Sequence, residues 1–378
     1  MKFFLFSTFL FLFLRNGFSQ NNIQPENLQV NIPSAKSNST LDIAGFINQH
    51  FDTDDKKIAA IYNWVTNNIK YDADSIHYVI LDEDNEQRVT YALRRKRGVC
   101  ENFAAIFNDL CLKCGIPSYT IEGFTKQMGT IDRSPHVWCA ASIDGNWAFY
   151  DPTWDAGQIR NGTFINETNS HFFKIPPDIF IDTHLPFDPL FQFLNYPLTY
   201  KEFISGQREK ESKKYFNYMD SLKSYEKMER LDQYLSSLSR MKKEGWPSQK
   251  IDTKVKRVQL EIELIHQDTD MDLYDAAVLD YNQAIQIFNT FLVYRNNQFQ
   301  PQKTKEEVES NFNHIQKLII SGKQKLNKVN ASSATLQLDT GDLQKKLDDL
   351  EVNLKTQQNF IKINLFIKSK SDSATTKS

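Results

Sequence analysis

The N-terminal half of the chain carries two stretches in which apolar residues recur at helical spacing. The first runs from residue 54 to 69, and its apolar stripe consists of Ile58, Ile61, Val65 and Ile69. The second runs from residue 100 to 114, and one of its faces carries Phe103, Ala104, Phe107, Cys111 and Cys114. Steps of three and four residues are typical of amphipathic helices, so we expect a helix in each stretch.

Strand-like segments follow the second predicted helix. Residues 118–125 are β-like. Residues 136–143 and 147–151 form a predicted hairpin, because Asp144-Gly145 is a favoured two-residue turn.

The register of this hairpin places two polar side chains together. With Asp144-Gly145 as the turn, Asp151 pairs with Trp138, so its side chain shares a face with that of His136. The same face carries Trp147 and Phe149, which would surround an ion pair with apolar rings.

The C-terminal half of the chain has the pattern of long helices. Apolar residues keep close to a helical step, and breaks fall at 245–247, 300–302 and 330–333. We predict an all-helical domain over residues 204–370, either an antiparallel bundle or a long helical hairpin with coiled-coil-like spacing. Its apolar stripe is typical of a bundle core, and the alternative is a face that recruits a protein partner. The polar residues 371–378 are expected to be disordered.

Residues 1–19 have the composition of an export signal. Lys2 precedes an apolar run over 3–14, and Ser19 is a small residue at which cleavage is expected. The polar residues 20–40 then form a predicted linker. We expect a periplasmic, secreted or cell-surface protein with no membrane span after cleavage. The alternative is an uncleaved membrane anchor, although the run is short for ~30 Å of hydrocarbon.

The overall composition excludes several classes of protein. Lys plus Arg (45) nearly balances Asp plus Glu (47), so the net charge of −2 offers no field that would attract nucleic acid. Four cysteines are too few for a disulfide scaffold. A mean hydropathy of −0.52 excludes a polytopic membrane protein.

Cys100 is the first candidate for chemistry. It opens the second predicted helix, where the partial positive charge of a helix N-terminus stabilises a thiolate, and basic residues 94–97 precede it. A nucleophilic thiolate works with a histidine and an orienting acceptor, and the hairpin supplies His136 and Asp151. On these residues alone, a structural cysteine, a solvated basic turn and a structural histidine remain open alternatives.

The other cysteines indicate no metal site. Cys111-x-x-Cys114 resembles half of a metal site, but no second Cys/His pair with zinc spacing accompanies it, so buried free thiols are the preferred interpretation. At most one disulfide can form among Cys111, Cys114 and Cys139 if Cys100 is free, and the spacing leaves this open.

Three separated motifs carry a family resemblance. They are Arg97-Gly98-Val99-Cys100-Glu101-Asn102-Phe103-Ala104, His136-Val137-Trp138 and Tyr150-Asp151-Pro152-Thr153-Trp154. In this order they resemble the transglutaminase-like superfamily of cysteine enzymes, whose nucleophile loop reads G-x-C-x-x-[FY]-A. The extension over 172–186 is similar to that of its bacterial and kyphoscoliosis-peptidase-like members.

The resemblance implies a fold and a catalytic triad. The implied fold over residues 41–203 is an α+β, papain-type core in which the Cys-bearing helix packs on an antiparallel sheet. Cys100 would be the nucleophile, His136 the general base and then acid, and Asp151 the orienting carboxylate. The implied reaction is acyl transfer from a protein or peptide amide through a thioester, with no cofactor and no metal.

If water accepts the acyl group, the enzyme is a peptidase or amidase, and this hydrolysis is the favoured prediction. Two alternatives to hydrolysis remain at this point. Crosslinking by transfer to an amine is the first, although no calcium-loop pattern is present. A non-catalytic scaffold or binding protein that retains the fold is the second. The backbone N–H of Cys100 is a candidate oxyanion donor, whereas Trp64 lies in mid-helix and is assigned to core packing.

Overall fold

The computed structural model describes residues 24–28, 30–75, 85–132, 134–160, 162–209, 213–243, 248–330 and 333–375. The chain divides into two compact units, Met1–Val255 and Lys256–Ser378. The predicted export signal at residues 1–19 lies outside the described residues.

Helices make up much of the first unit, and both predicted helices are confirmed. Its α-helices are α1 (Thr40–His50), α2 (Asp54–Asn68), α3 (Asn85–Arg95), α4 (Cys100–Lys113), α5 (Pro152–Ala156), α6 (Pro177–Phe180), α7 (Tyr200–Ser205), α8 (Tyr218–Glu226), α9 (Arg230–Lys243) and the start of α10 (Ser248–Asn296). Thr53 caps α2, since its hydroxyl accepts the backbone N–H of Lys56 at 3.3 Å. Gly115 follows α4 with φ of 80°, the left-handed geometry that ends helices.

The strands form one larger sheet and two small pairs. They are β1 (Lys70–Tyr71), β2 (Arg97–Gly98), β3 (Ser118–Gln127), β4 (Thr130–Ile131), β5 (His136–Ile143), β6 (Asn146–Tyr150), β7 (Gly157–Arg160), β8 (Thr163–Asn166) and β9 (His184–Pro186). The larger, antiparallel sheet has the order β4-β3-β5-β6, and β9 also pairs with β3. β1 and β2 pair in parallel, and β7 pairs with β8.

The predicted hairpin is confirmed in its register. Ile143 pairs with Asn146 across the turn, and the last pair of the ladder is Cys139 with Tyr150. Asp144 and Gly145 both have positive φ, 52° and 77°, as a type I′ turn requires. β6 ends one residue before Asp151, which instead caps helix α5.

The two faces of the hairpin belong to different apolar clusters. On one face, Cys139 and Tyr150 pack in the cluster that contains Phe103 and Phe107 of helix α4. The opposite face packs against segments that follow the hairpin, through Trp138, Ala140, Phe149, Phe180, Leu190, Phe193 and Leu222. The hairpin is therefore covered on both sides, and His136 lies at the edge of the second cluster.

Helices α8 and α9 belong to the first unit, which extends to Val255. Arg240 of α9 donates two hydrogen bonds to the buried carboxylate of Asp188, at 2.6 and 2.7 Å. Leu222 of α8 is buried in the apolar cluster that contains Trp138 and Phe149 of the hairpin. These contacts join residues that are far apart in sequence, so local composition does not predict them.

The second unit is helical, as predicted. It contains the rest of α10, followed by α11 (Lys305–Leu326) and α12 (Ala334–Thr375). Their shared core includes Ala277, Ala284, Phe288, Phe312, Ile315, Ile319, Leu343, Leu347, Leu350 and Leu354. Helix α12 extends to Thr375, into the residues 371–378 for which disorder is predicted from the sequence. Among the described residues, none of the helices has the length and apolarity that crossing a membrane requires.

Candidate active site

The start of helix α4 presents Cys100 at its first residue. Asn102 accepts the backbone N–H of Val99 at 2.9 Å and donates to the carbonyl of Arg88 in α3 at 3.2 Å. A Cβ at residue 98 would lie 2.5 Å from Asn102, so Gly98 is required for this close packing. The glycine two residues before Cys100 therefore serves to set the first turn of the helix.

Part of the basic run before Cys100 makes structural contacts, although Arg94 and Arg95 are exposed to solvent. Arg95 and Arg97 form ion pairs with the buried carboxylate of Asp72, at 3.5 and 3.1 Å. The ammonium group of Lys96 lies 5.1 Å from the ring centre of Trp64. Trp64 is itself buried in the core, in line with its assignment to packing. Together these contacts hold the strand pair β1–β2 that leads into α4.

His136 and Asp151 are joined as the hairpin register predicts. His136 Nε2 lies 2.7 Å from Asp151 Oδ2, and both side chains are buried. Asp151 Oδ1 caps helix α5 by accepting the backbone N–H groups of Thr153 and Trp154 at 3.0 and 3.2 Å. Each oxygen of this carboxylate thus has its own task.

The electrostatics of this pair favour an imidazolium next to a carboxylate. Burial opposes protonation of His136, but the charge and hydrogen bond of Asp151, with a hydrogen bond from Cys100, raise the pKa of His136 to about 10. Burial would raise the pKa of Asp151, but His136 and then His184 hold it well below its usual range. The pKa of His136 thus depends on both Asp151 and Cys100.

Since Nε2 of His136 faces Asp151, Nδ1 is the ring nitrogen left for the Cys100 thiol. Cys100 is half-buried, while Cys111, Cys114 and Cys139 are buried, and all four are free thiols. Burial raises the pKa of Cys111, Cys114 and Cys139, so these three are poor nucleophiles.

A second histidine, which the sequence motifs did not assign a role, meets the same carboxylate. His184 begins β9, is fully buried, and places Nε2 3.2 Å from Asp151 Oδ2. Burial, with an opposing contribution from Asp151, lowers the pKa of His184 to about 4. The available signal was the similarity of residues 172–186 to an extension of the family, which does not indicate this contact.

Asp155, one turn after Asp151, is a second buried carboxyl group. Its Oδ2 accepts from the Tyr62 hydroxyl and from the backbone N–H of Phe172 at 2.8 Å. Burial is the main cause that raises the pKa of Asp155 to about 8, and the charge of Asp151 adds to it. Asp155 is therefore mostly protonated at neutral pH and leaves Asp151 as the charged partner of His136.

Three side chains of the site are close enough together to bind a metal ion, those of His136, Asp151 and His184. One ligand atom from each lies within 4.8 Å of the others. The two imidazole Nε2 atoms and the carboxylate satisfy one another by hydrogen bonds, which accounts for their proximity without an ion.

The fold and the site together define the class of this domain. A thiol at the start of a helix, and an imidazole and a carboxylate on the adjoining antiparallel hairpin, form the arrangement of a papain-type α+β domain. Residues 43–152 match the model of the transglutaminase-like superfamily. This part of the chain is a transglutaminase-like domain, as its motifs indicated.

Relatives match only part of this chain. The chain is 26% identical over 197 residues to human kyphoscoliosis peptidase, a match that covers 50% of this chain and 29% of that protein. It is 25% identical over 173 residues to hillarin of Drosophila melanogaster, with 40% and 20% covered. A solved Cytophaga hutchinsonii structure, named as a candidate cysteine protease, is 23% identical, covers 32% of this chain and 40% of its own, and gives a TM-score of 0.26. The chain thus spans less than a third of the length of the curated relatives that it matches.

Proposed function

We propose that this protein is an exported cysteine enzyme that hydrolyses amide bonds of proteins or peptides. The observation that carries the proposal is the position of His136, whose ring is bonded to the buried carboxylate of Asp151 and whose pKa is also raised by the half-buried Cys100. This is the order of contacts that a thiolate nucleophile, a general base and an orienting carboxylate require.

The proposed reaction has two steps. The Cys100 thiolate attacks the amide carbonyl carbon, and the C–N bond breaks as protonated His136 gives its proton to the leaving amine. Water then attacks the thioester, with neutral His136 taking its proton, and the acid and thiol are released. The backbone N–H of Cys100, at the start of α4, is the candidate for stabilising the oxyanion.

The central experiment is alkylation of the purified full chain with substoichiometric iodoacetamide near neutral pH. We expect one thiol to react faster than free cysteine, and mass mapping to locate it at Cys100. Cys100→Ala should abolish the fast phase, and Cys114→Ala, a matched control in the same helix region, should retain it. Equal and slow reaction of all four thiols would contradict the proposal.

Product analysis then separates hydrolysis from its alternatives. Incubation of the enzyme with a protein substrate and an amine donor should give new N-termini that Cys100→Ala does not produce. Incorporation of the amine instead would identify a crosslinking transglutaminase. A fast thiol with neither product from a broad set of proteins and peptides would favour a scaffold role, with the helical unit as the partner-binding part.

Export forms a separate part of the proposal. It rests on the basic and apolar pattern of residues 1–19. N-terminal sequencing of the protein recovered from outside the cytoplasm should begin at Gln20, and recovery of the chain with Met1 retained in the cytoplasm would contradict export.

A further inference from the structure

His184 is a hydrogen-bond partner of the Asp151 carboxylate. Its two ring nitrogens meet Asp151 and Thr183 and not His136. Its side chain is fully buried, and its Nε2 lies 3.2 Å from Asp151 Oδ2, the same oxygen that meets His136 Nε2 at 2.7 Å. Asp151 Oδ1 is already held by two backbone N–H groups of helix α5. The two oxygens therefore have two partners each, and His184 supplies one of the four.

The direction of this hydrogen bond follows from the chemistry of its two ends. An ionised carboxylate only accepts, so His184 must carry its proton on Nε2. Nδ1 of the same ring then accepts from the hydroxyl of Thr183, at 2.7 Å. The carboxylate thus selects this tautomer, and the Thr183 hydroxyl, which also lies 3.2 Å from the carbonyl oxygen of Phe180, gives Nδ1 a partner.

The surroundings of His184 keep its ring in place. The ring stacks on Phe180 with 4.0 Å between centroids and lies 4.5 Å from the ring centre of Trp154. β9 approaches β3 closely because Gly123 has no side chain, since a Cβ there would lie 2.1 Å from the carbonyl oxygen of Leu185. A fully buried imidazole with both nitrogens bonded and its ring packed between aromatics is a fixed donor.

We propose that His184 is a positioning residue, which fixes Asp151 Oδ2 at the point where it accepts from His136 and thereby keeps the His136 ring turned toward Cys100. Two backbone donors hold Oδ1 but leave the plane of the carboxylate to be set by what meets Oδ2. With His184 in place, Oδ2 is held from two directions. This inference rests on the proposed function, because it assigns His184 a role in that site.

Two substitutions separate the hydrogen bond from the packing. His184→Phe keeps a flat ring and removes the donor, and His184→Gln keeps an N–H donor of similar reach. We expect the alkylation rate of Cys100 near pH 6 to fall about tenfold in His184→Phe, the loss of one hydrogen bond to a charged group, and to recover within about threefold of wild type in His184→Gln. Phe180→Leu, which removes the stacked ring and keeps the donor, is the packing control and should also stay within about threefold.

The opposite pattern overturns the proposal. It fails if folded His184→Phe is alkylated at the wild-type rate across the pH profile, or if His184→Gln is impaired as strongly as His184→Phe. If His184→Phe does not fold, Thr183→Val tests the position of the same ring, because it removes the hydroxyl that is hydrogen-bonded to His184 Nδ1. A loss of about threefold supports the proposal, and an unchanged rate contradicts it.

A second measurement distinguishes failure of this inference from failure of the proposed function. In Cys100→Ala, NMR titration of the labelled His136 ring follows its pairing with Asp151 without any thiol chemistry. A downward shift of its midpoint in Cys100→Ala/His184→Phe supports the positioning role even if the wild-type thiol proves unreactive. An unchanged midpoint removes the positioning role even if Cys100 proves to be a nucleophile.

Discussion

Replacing Asp151 by asparagine changes one atom of the carboxylate and should separate the fold from the chemistry. The amide oxygen of Asp151→Asn can keep the bonds from Thr153 and Trp154 that cap helix α5. The amide N–H₂ group then faces His136 and His184, where Oδ2 stood. Both rings must accept instead of donate, so each proton moves to Nδ1.

In this tautomer His136 can no longer accept the proton of the Cys100 thiol. In wild type, Nε2–H of His136 faces Asp151 and Nδ1 is left for the proton of Cys100. In Asp151→Asn, Nδ1 already carries a proton, and the buried charge that raises the pKa of His136 to about 10 is gone. A thiol without an ion-pair partner is only ~0.3% ionised near pH 6. We therefore expect alkylation of Cys100 near pH 6 to slow by about 100-fold or more, and amide cleavage by about 10⁴-fold, as when a triad histidine is held in the wrong tautomer.

The stability of the variant should change much less. The helix cap remains, and the two imidazole bonds are exchanged for others of opposite direction, so the unfolding free energy should fall by about 1–2 kcal/mol. Asp151→Ala is the matched control, because it also removes the cap and should cost about 1 kcal/mol more. The assays are iodoacetamide kinetics from about pH 5 to about 9 and urea unfolding. A folded Asp151→Asn protein that alkylates at the wild-type rate near pH 6 would refute this account of the site.

Three further substitutions test other parts of the structure. Gly123→Ala places a Cβ 2.1 Å from the Leu185 carbonyl oxygen, so urea unfolding should show a loss of about 3 kcal/mol, and an unchanged midpoint would contradict the close approach of β9. Asp155 has a pKa raised from 3.8 to about 8 in the folded chain, so the unfolding free energy of wild type falls as pH rises between those values. Asp155→Asn should remove this pH dependence when unfolding is measured near pH 5 and pH 8. Parallel curves of stability against pH for the two proteins would contradict it. Arg240→Ala breaks two hydrogen bonds of 2.6 and 2.7 Å to Asp188. It should lower the unfolding free energy, measured by thermal unfolding, by about 2–3 kcal/mol, less than for a fully buried pair because the Arg240 side chain is 20% exposed. A change below about 0.5 kcal/mol would show that this pair does not hold helix α9.

Local chemistry made the hairpin and the start of helix α4 predictable. Asp144-Gly145 specifies a two-residue turn with positive φ, and the turn fixes the register of every pair above it. The register in turn places His136 and Asp151 on one face. Gly115 ends α4 by a geometry that glycine adopts freely, so both ends of that helix could be read from sequence.

Contacts between distant segments could not be read in this way. Asp72 pairs with Arg95 and Arg97, so two charges of a partly exposed basic run also meet a buried carboxylate. His184 lies in a three-residue strand, too short for any alternation to show, and reaches Asp151 only because Gly123 lets β9 pair with β3. In both cases the residue type is visible in the sequence, but its partner depends on the completed fold.

The tetrapeptide from Asp151 to Trp154 shows how a local motif prepares the site before any substrate binds. Pro152 has no N–H and a fixed φ, so it starts helix α5 without competing for the carboxylate. The N–H groups of the next two residues then point back at Oδ1, because the first turn of a helix has no other acceptor for them. Fixing Oδ1 from its own helix leaves Oδ2 free to meet other partners, and His136 and His184 then set the plane of the carboxylate. A longer glutamate side chain would lose this cap geometry, so aspartate at this position is required by the helix start as well as by the histidine, and the orientation of the carboxylate is set by folding and not by the substrate.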